Sequence, residues 1–335
     1  MSDSSPGSRS WDYIKPRVGN LEQVVSVTHS IDDDGASRGS RRIRLINGGG
    51  LDLELHPDRA LDIGRFIVDG VNIGWISPVG ASSPFLVENK EREWLRTFSG
   101  GFLTTCGLDT FGGQSDHGGQ HFPLHGRLGS NPARILQTLS SPERVGVISE
   151  TKQVTTFGEN LRLKREISSL TFSRSIRMRD EVTNLGFEEI GHMILYHFNI
   201  GWPMIGPAAE LLIDAKSRKS LRSEVPAGDF AKLTPPTVGE QETVFLHELQ
   251  SNATPSARLR NPDLGLELSL RVVSGNLPYL FQWKMLDQGY YVVGLEPANG
   301  HVLSGRHDAE SEGAVVKIPA GHSVSYEIEI QIDRF

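Results

Sequence analysis

The sequence predicts an all-β chain of 335 residues folded as one large domain, and three observations carry that prediction. Segments with two-residue hydrophobic alternation recur from one end to the other. The 36 glycines and 18 prolines punctuate the whole chain instead of gathering in one linker. Only one stretch shows a convincing helical stripe. Length alone would suggest two domains, yet all-β folds of this size often remain single.

The elements follow in chain order. Residues 1–10 are rich in Ser, Gly and Asp and are expected to form a disordered tail, leaving 11–335 as the domain. Strands are expected at Val24–Thr28, Arg42–Ile46 and Leu51–Leu55. A helix is expected within Phe85–Phe98, where Trp94, Leu95 and Phe98 form an apolar stripe beside the charged run ENKERE. Further strands are expected at Leu161–Ile167, Ser173–Val182, Leu264–Val272 and Ser323–Ile332, the last alternating strictly as SVSYEIEIQI. No internal repeat of fixed period is present.

Composition excludes several function classes. Net charge is −7, and no stretch concentrates Lys and Arg, so the electrostatic footprint of a nucleic-acid binder is missing. Cys106 is the sole cysteine, which rules out an internal disulfide and suggests a reducing compartment. The N-terminal residues have no apolar signal-peptide core, and no apolar run nears the roughly 20 residues of a membrane span. A cytoplasmic location is therefore expected. Nothing in the sequence indicates an oligomeric state.

Three segments point to a site. In MILYHFNI, period two puts Ile194, Tyr196, Phe198 and Ile200 on a core face and Leu195, His197 and Asn199 on the other. In LFQWK, Phe281 and Trp283 oppose Gln282 and Lys284, which suggests a sheet with an apolar back and a polar, ligand-holding front. In YYVVGLEP, Pro297 cannot donate to a ladder, so pairing should stop there and leave Glu296 at a strand mouth. A carboxylate ending an uncharged strand costs desolvation unless something satisfies or uses it.

Taken in order, PLHGR (Pro123–Arg127), LYHFN (Leu195–Asn199) and GLEPANG (Gly294–Gly300) resemble the galactose mutarotase, or aldose 1-epimerase, superfamily. The resemblance runs from about residue 20 to the C-terminus. It looks closest to a branch with DRALDIG-like, TTCGLDTFGG-like and LHGR-like runs, here at Asp58–Gly64, Thr104–Gly113 and Leu124–Arg127. It implies a β-supersandwich, a sugar substrate, and no metal or organic cofactor. By resemblance, Glu296 would be the base that removes the anomeric proton, and His197 the acid that protonates the ring oxygen. His125 would stabilise charge on that oxygen or hold the sugar, and Arg59 would bond ring hydroxyls. A nearby carboxylate should raise His197 and keep it protonated near neutrality, giving a bell-shaped pH profile. There is one departure. Typical members place the acid histidine three residues before the Phe of HSYFN, whereas His197 directly precedes Phe198; a shift of two preserves the strand face.

Each candidate also has a structural reading. Glu296 could bond a backbone amide at a strand end, His197 could be a satisfied core histidine, and His125 could cap a turn. Arg59, between Asp58 and Asp62, could make a surface ion pair. Asn199, Gln282 and Lys284 are further substrate-binding candidates, although exposed polar sheet faces are common. Asp109 sits in a glycine-rich loop where a turn role is the default, and Arg306 and His307 fall in a loop expected near Glu296. Trp202 and Trp283 could stack on a pyranose or pack in the core, and Cys106 reads as a small buried residue. His117, His121 and His125 are spaced four apart and, with Asp116, could ligate a divalent metal for an isomerase or lyase. The intervening Gly118, Gly119 and Pro123 argue against the helix that geometry needs. The third class is a carbohydrate-binding protein that keeps the fold without turnover.

Overall fold

The computed structural model describes residues 11–86, 90, 92–221, 225–250 and 256–335. The expected N-terminal tail lies outside the described residues, as do Glu88, Asn89 and Glu91 of the charged run. Strands dominate, in antiparallel sheets of five, eight and seven strands plus a two-stranded hairpin.

The alternating segments become strands close to where the pattern puts them. SVSYEIEIQI extends to Ser323–Arg334 and forms the middle of the eight-stranded sheet, between Ser175–Asn184 and Leu266–Val272. Its inward residues Tyr326, Ile328, Ile330 and Ile332 are buried. Outward Glu327 and Glu329 pair with Arg177, Arg179 and Arg271 on neighbouring strands. Facing this sheet is the seven-stranded one, whose central strands are Ile190–Gly201, Val292–Ala298 and Tyr279–Met285. Ile194, Tyr196, Phe198 and Ile200 enter the core between the sheets, as period two requires. The opposite face is also covered: Met193, Leu195 and Phe281 belong to a second cluster with Cys106 and Phe111. A strand buried on both faces reads as continuous hydrophobicity, which MILYHFNI nearly is.

A fully buried Arg165 ties the layers together. Its guanidinium meets Asp62 at 2.9 Å and Asp180 at 2.7 Å, and also donates to the Ala60 carbonyl and Thr105 Oγ1. Asp62 is the second aspartate of the DRALDIG run; the first, Asp58, pairs with Arg41 at 2.6 Å. Buried charges survive only when paired and hydrogen-bonded, and this knot meets that condition.

Two expectations change. Among the described residues of Phe85–Phe98, 3-10 turns at Pro84–Leu86 and Glu93–Arg96 stand in place of the expected helix. The stripe of Trp94, Leu95 and Phe98 is too short to hold an α-helix, and Trp94 and Phe98 stack at 4.4 Å instead. The α-helices among the described residues are Trp11–Ile14 and Arg306–Ser311. The strand ending in LEP runs through Pro297 to Ala298, so Glu296 lies inside a central strand and not at its mouth. The proline still marks the ladder. Pairing with Ile190–Gly201 runs from Gly201 down to Phe198 and resumes at Leu195, skipping the positions opposite Glu296 and Pro297.

Candidate active site

The register that pairs Phe198 with Leu295 and Asn199 with Gly294 sets His197 beside Glu296 on the same sheet face. Their side chains meet there, His197 Nε2 lying 3.1 Å from Glu296 Oε1. Both are buried. On the other flank, Phe281 pairs with Glu296 and Trp283 with Gly294, which puts Trp283 on this face too. Its ring stands edge-on to His197 at 5.5 Å.

His125 arrives from a loop. The PLHGR segment puts it in the left-handed region at φ 58°, followed by Gly126 at φ 76°. A Cβ on Gly126 would come within 2.5 Å of the Gly107 carbonyl, so glycine is required there. The His125 amide donates to Gly112 O and its carbonyl accepts from Gly107 N, fixing the ring 6.1 Å from that of His197 and 4.7 Å from Trp94. Together these groups line a cavity of about 440 Å³. Trp94, Phe98, Trp283, Leu124 and Leu303 supply apolar walls, and Arg92, Gln114, His125, His197, Glu242 and Glu296 supply polar groups. An apolar pocket with a few convergent polar side chains is the usual form of a small-molecule site.

Burial dominates the electrostatics. It pushes His197 down to about 3, the charge on His125 acts in the same direction, and a hydrogen bond with Asn199 opposes it. The expectation that the carboxylate raises His197 is thereby corrected: the imidazole is neutral at pH 7, because losing water costs the cation more than its neighbours return. The pair is a desolvated carboxyl–imidazole couple rather than an ion pair in water.

Several sequence candidates stand elsewhere. The Arg59 guanidinium donates to the carbonyls of Ser82, Thr97 and Gly129 and is absent from the cavity lining. Asn199 shares the face of His197, but its amide donates to the Gly101 and His197 carbonyls. Gln282 and Lys284 face away, reversing the expected polarity of LFQWK, because the pairing of Phe281 with Glu296 turns the aromatic residues toward the site. Gln282 bonds Phe230 O and His247, and Lys284 caps the carbonyls of Asp229 and Lys232. Asp109 pairs with Arg127. Arg306 lies in the Arg306–Ser311 helix, donating to Asp109 O, Gly191 O and Glu310, and with Asp109 it lines a different cavity. Trp202 is exposed and does not line this cavity. Cys106 is buried, and burial pushes its thiol well above the usual range.

The metal reading fails on geometry. His117 and His121 lie on the two strands of the hairpin Ser115–His117 and Gln120–Phe122, where His121 pairs with Asp116 and His117 with Gln120. They therefore point to opposite faces. Among the described residues no group of three or more His, Cys, Asp or Glu side chains is placed to hold a metal.

Glu242, Trp94, Arg92 and Gln114 were missed by the sequence reading. Glu242 precedes the strand Thr243–Leu249 and shares the face of cavity-lining Val244; its Oε2 accepts from Trp283 Nε1 at 2.9 Å. Alternation along ETVFL could have flagged it.

The fold is a galactose mutarotase-like β-supersandwich. A provisionally assigned aldose 1-epimerase from Klebsiella pneumoniae superposes with a TM-score of 0.84 at 22% identity, over 93% of this chain and 86% of that one. A galactose mutarotase-like protein from Clostridium acetobutylicum gives 0.67 at 13% identity, over 93% and 100% of the two chains. Galactose 1-epimerase from Lactobacillus acidophilus gives 0.57 at 15%, over 92% and 99%. At such identities the likeness concerns the fold. No curated protein matches the sequence. Residues 37–332 match the family described as a domain of unknown function, DUF4432, and the chain belongs to that family.

Proposed function

We propose that this protein interconverts the anomers of an aldose or aldose derivative by general acid–base ring opening. The observation that carries the reading is the desolvated His197–Glu296 contact of 3.1 Å in an aromatic-walled cavity that His125 also enters. Trp94 and Trp283 offer flat faces for the C–H side of a pyranose, while Glu242, Gln114 and Arg92 offer partners for its hydroxyls.

In this mechanism Glu296 takes the proton from the anomeric hydroxyl as the C1–O5 bond breaks, and an acid protonates O5. The open aldehyde rotates about C1–C2, and reclosure on the other face reverses both transfers. A neutral His197 is a poor acid at O5, so the acid role passes to His125, while His197 holds the Glu296 carboxyl in place. General acid and base together supply roughly 100 to 10,000-fold each.

The test follows optical rotation of freshly dissolved free aldoses (D-glucose, D-galactose, D-xylose, L-arabinose and L-fucose) with wild type, Glu296→Gln and His125→Asn. Acceleration by wild type that falls at least 100-fold in Glu296→Gln is expected. Acceleration that persists in Glu296→Gln rejects the base assignment. Sugar binding without acceleration by wild type replaces this reading with that of a carbohydrate-binding protein.

A further inference from the structure

We infer that Gly294 is the positioning residue of the site: the missing side chain two places before Glu296 is what allows the carboxyl and the His197 ring to meet. This inference rests on the proposed acid–base role of Glu296 for its kinetic arm, and on geometry alone for its structural arm.

Along the strand Val292–Ala298, Gly294 and Glu296 point to the same face, and Gly294 lies between Trp283 on one neighbouring strand and Asn199 on the other. That position is the floor beneath the couple. A Cβ built there would stand 2.5 Å from Glu296 Oε1, 3.1 Å from His197 Cε1 and 3.2 Å from Trp283 Cβ. The first distance is impossible for a real atom, and the other two are tight. Any side chain at 294 therefore acts on the carboxyl, the imidazole and the tryptophan wall at once.

The clash has an unequal cost. What must yield first is the far end of the Glu296 side chain and not backbone. Gly294 is also absent from the residues with positive φ, so alanine is compatible with its backbone. Glycine inside a strand is less favourable than alanine, because it gives up more chain entropy and packs nothing. The fold would thus accept Gly294→Ala, while the base moves by about 1 Å, a displacement that can cost about 100-fold in rate. A glycine kept where alanine would suit the strand better is a mark of the site rather than of the sheet.

The experiment compares wild type, Gly294→Ala, Glu296→Gln and the double variant, using thermal melting, the aldose panel above, and ¹⁵N-histidine NMR with His197 assigned by a His197→Asn variant. Expected are an unchanged or higher melting temperature for Gly294→Ala, a fall of about 100-fold in kcat with KM within about threefold, and displaced His197 ring signals. In the Glu296→Gln background the alanine should cost little further, since the base it displaces is already gone. Full kcat with unmoved His197 signals overturns the inference, and so does a large loss of melting temperature, which would make Gly294 a requirement of the sheet. Should wild type accelerate none of the sugars, the functional reading falls, while the NMR comparison still decides Gly294.

Discussion

Acidification should unfold this protein through its buried histidines before its carboxylates matter. Burial lowers His197 to about 3, and lowers both His192 and His247 to about 4, against an unfolded value near 6.5. Burial keeps each ring neutral although hydrogen bonds pull the other way, Leu108 O on His192, Gln282 on His247 and Asn199 on His197. For a histidine whose folded value is depressed, the unfolded chain binds the extra proton, so stability is complete above about pH 6.5 and is lost as pH falls toward the folded value. At pH 4.5 each ring forfeits about 3 kcal/mol, and the three together on the order of 8 kcal/mol. That is comparable with the whole stability of a typical domain. His56, also lowered by burial, adds in the same direction. Asp62, raised by burial against the pull of Arg165 and Thr105, opposes it by taking up a proton in the folded state. Glu54, lowered by its hydrogen bond with His56, begins to lose its contribution only below its unfolded value of 4.5, at the foot of the titrated range. Urea unfolding at half-unit steps from pH 8 to 4.5 should show a slope approaching about 4 kcal/mol per pH unit below pH 6, with uptake of about three protons. His197→Asn should remove about a third of that slope. Urea midpoints that stay level from pH 7 to pH 5 would refute the reasoning.

Other expectations follow from the same geometry. Arg165→Ala leaves Asp62 and Asp180 buried without their cation and should cost about 3–5 kcal/mol, a fall in Tm of about 4–7 °C for a chain of this length, read by calorimetry. Trp283→Phe keeps an aromatic wall but deletes the donor to Glu242, so KM for a turned-over sugar should rise several-fold with kcat nearly unchanged; an unmoved KM would remove Trp283 from the sugar contacts. Lys284→Met should alter Tm and leave KM alone, because the ammonium caps two carbonyls on the far face of the sheet. With His197 lowered to about 3, the pH–rate profile should lack a limb from this residue between pH 5 and 8, and the His197→Asn profile should keep the wild-type midpoints in that interval.

The sheet content was legible because strand periodicity is local: SVSYEIEIQI and MILYHFNI each state which side chains face the core, and the core agrees. Resemblance in three short runs also named His125, His197 and Glu296, which do line one cavity. What the chain could not state was register between strands distant in sequence. Pairing Phe281 with Glu296 decides that Trp283 faces the site while Gln282 and Lys284 turn away, and it brings Glu242 into the wall. Arg59 looked available beside two aspartates, yet carbonyls from three loops consume its donors. The charge state of His197 was beyond the sequence for the same reason: desolvation is set by everything packed around a group, and a neighbouring carboxylate is only part of that. Alternation and turn chemistry belong to the chain itself, whereas facing, burial and proton affinity belong to the surroundings that folding assembles.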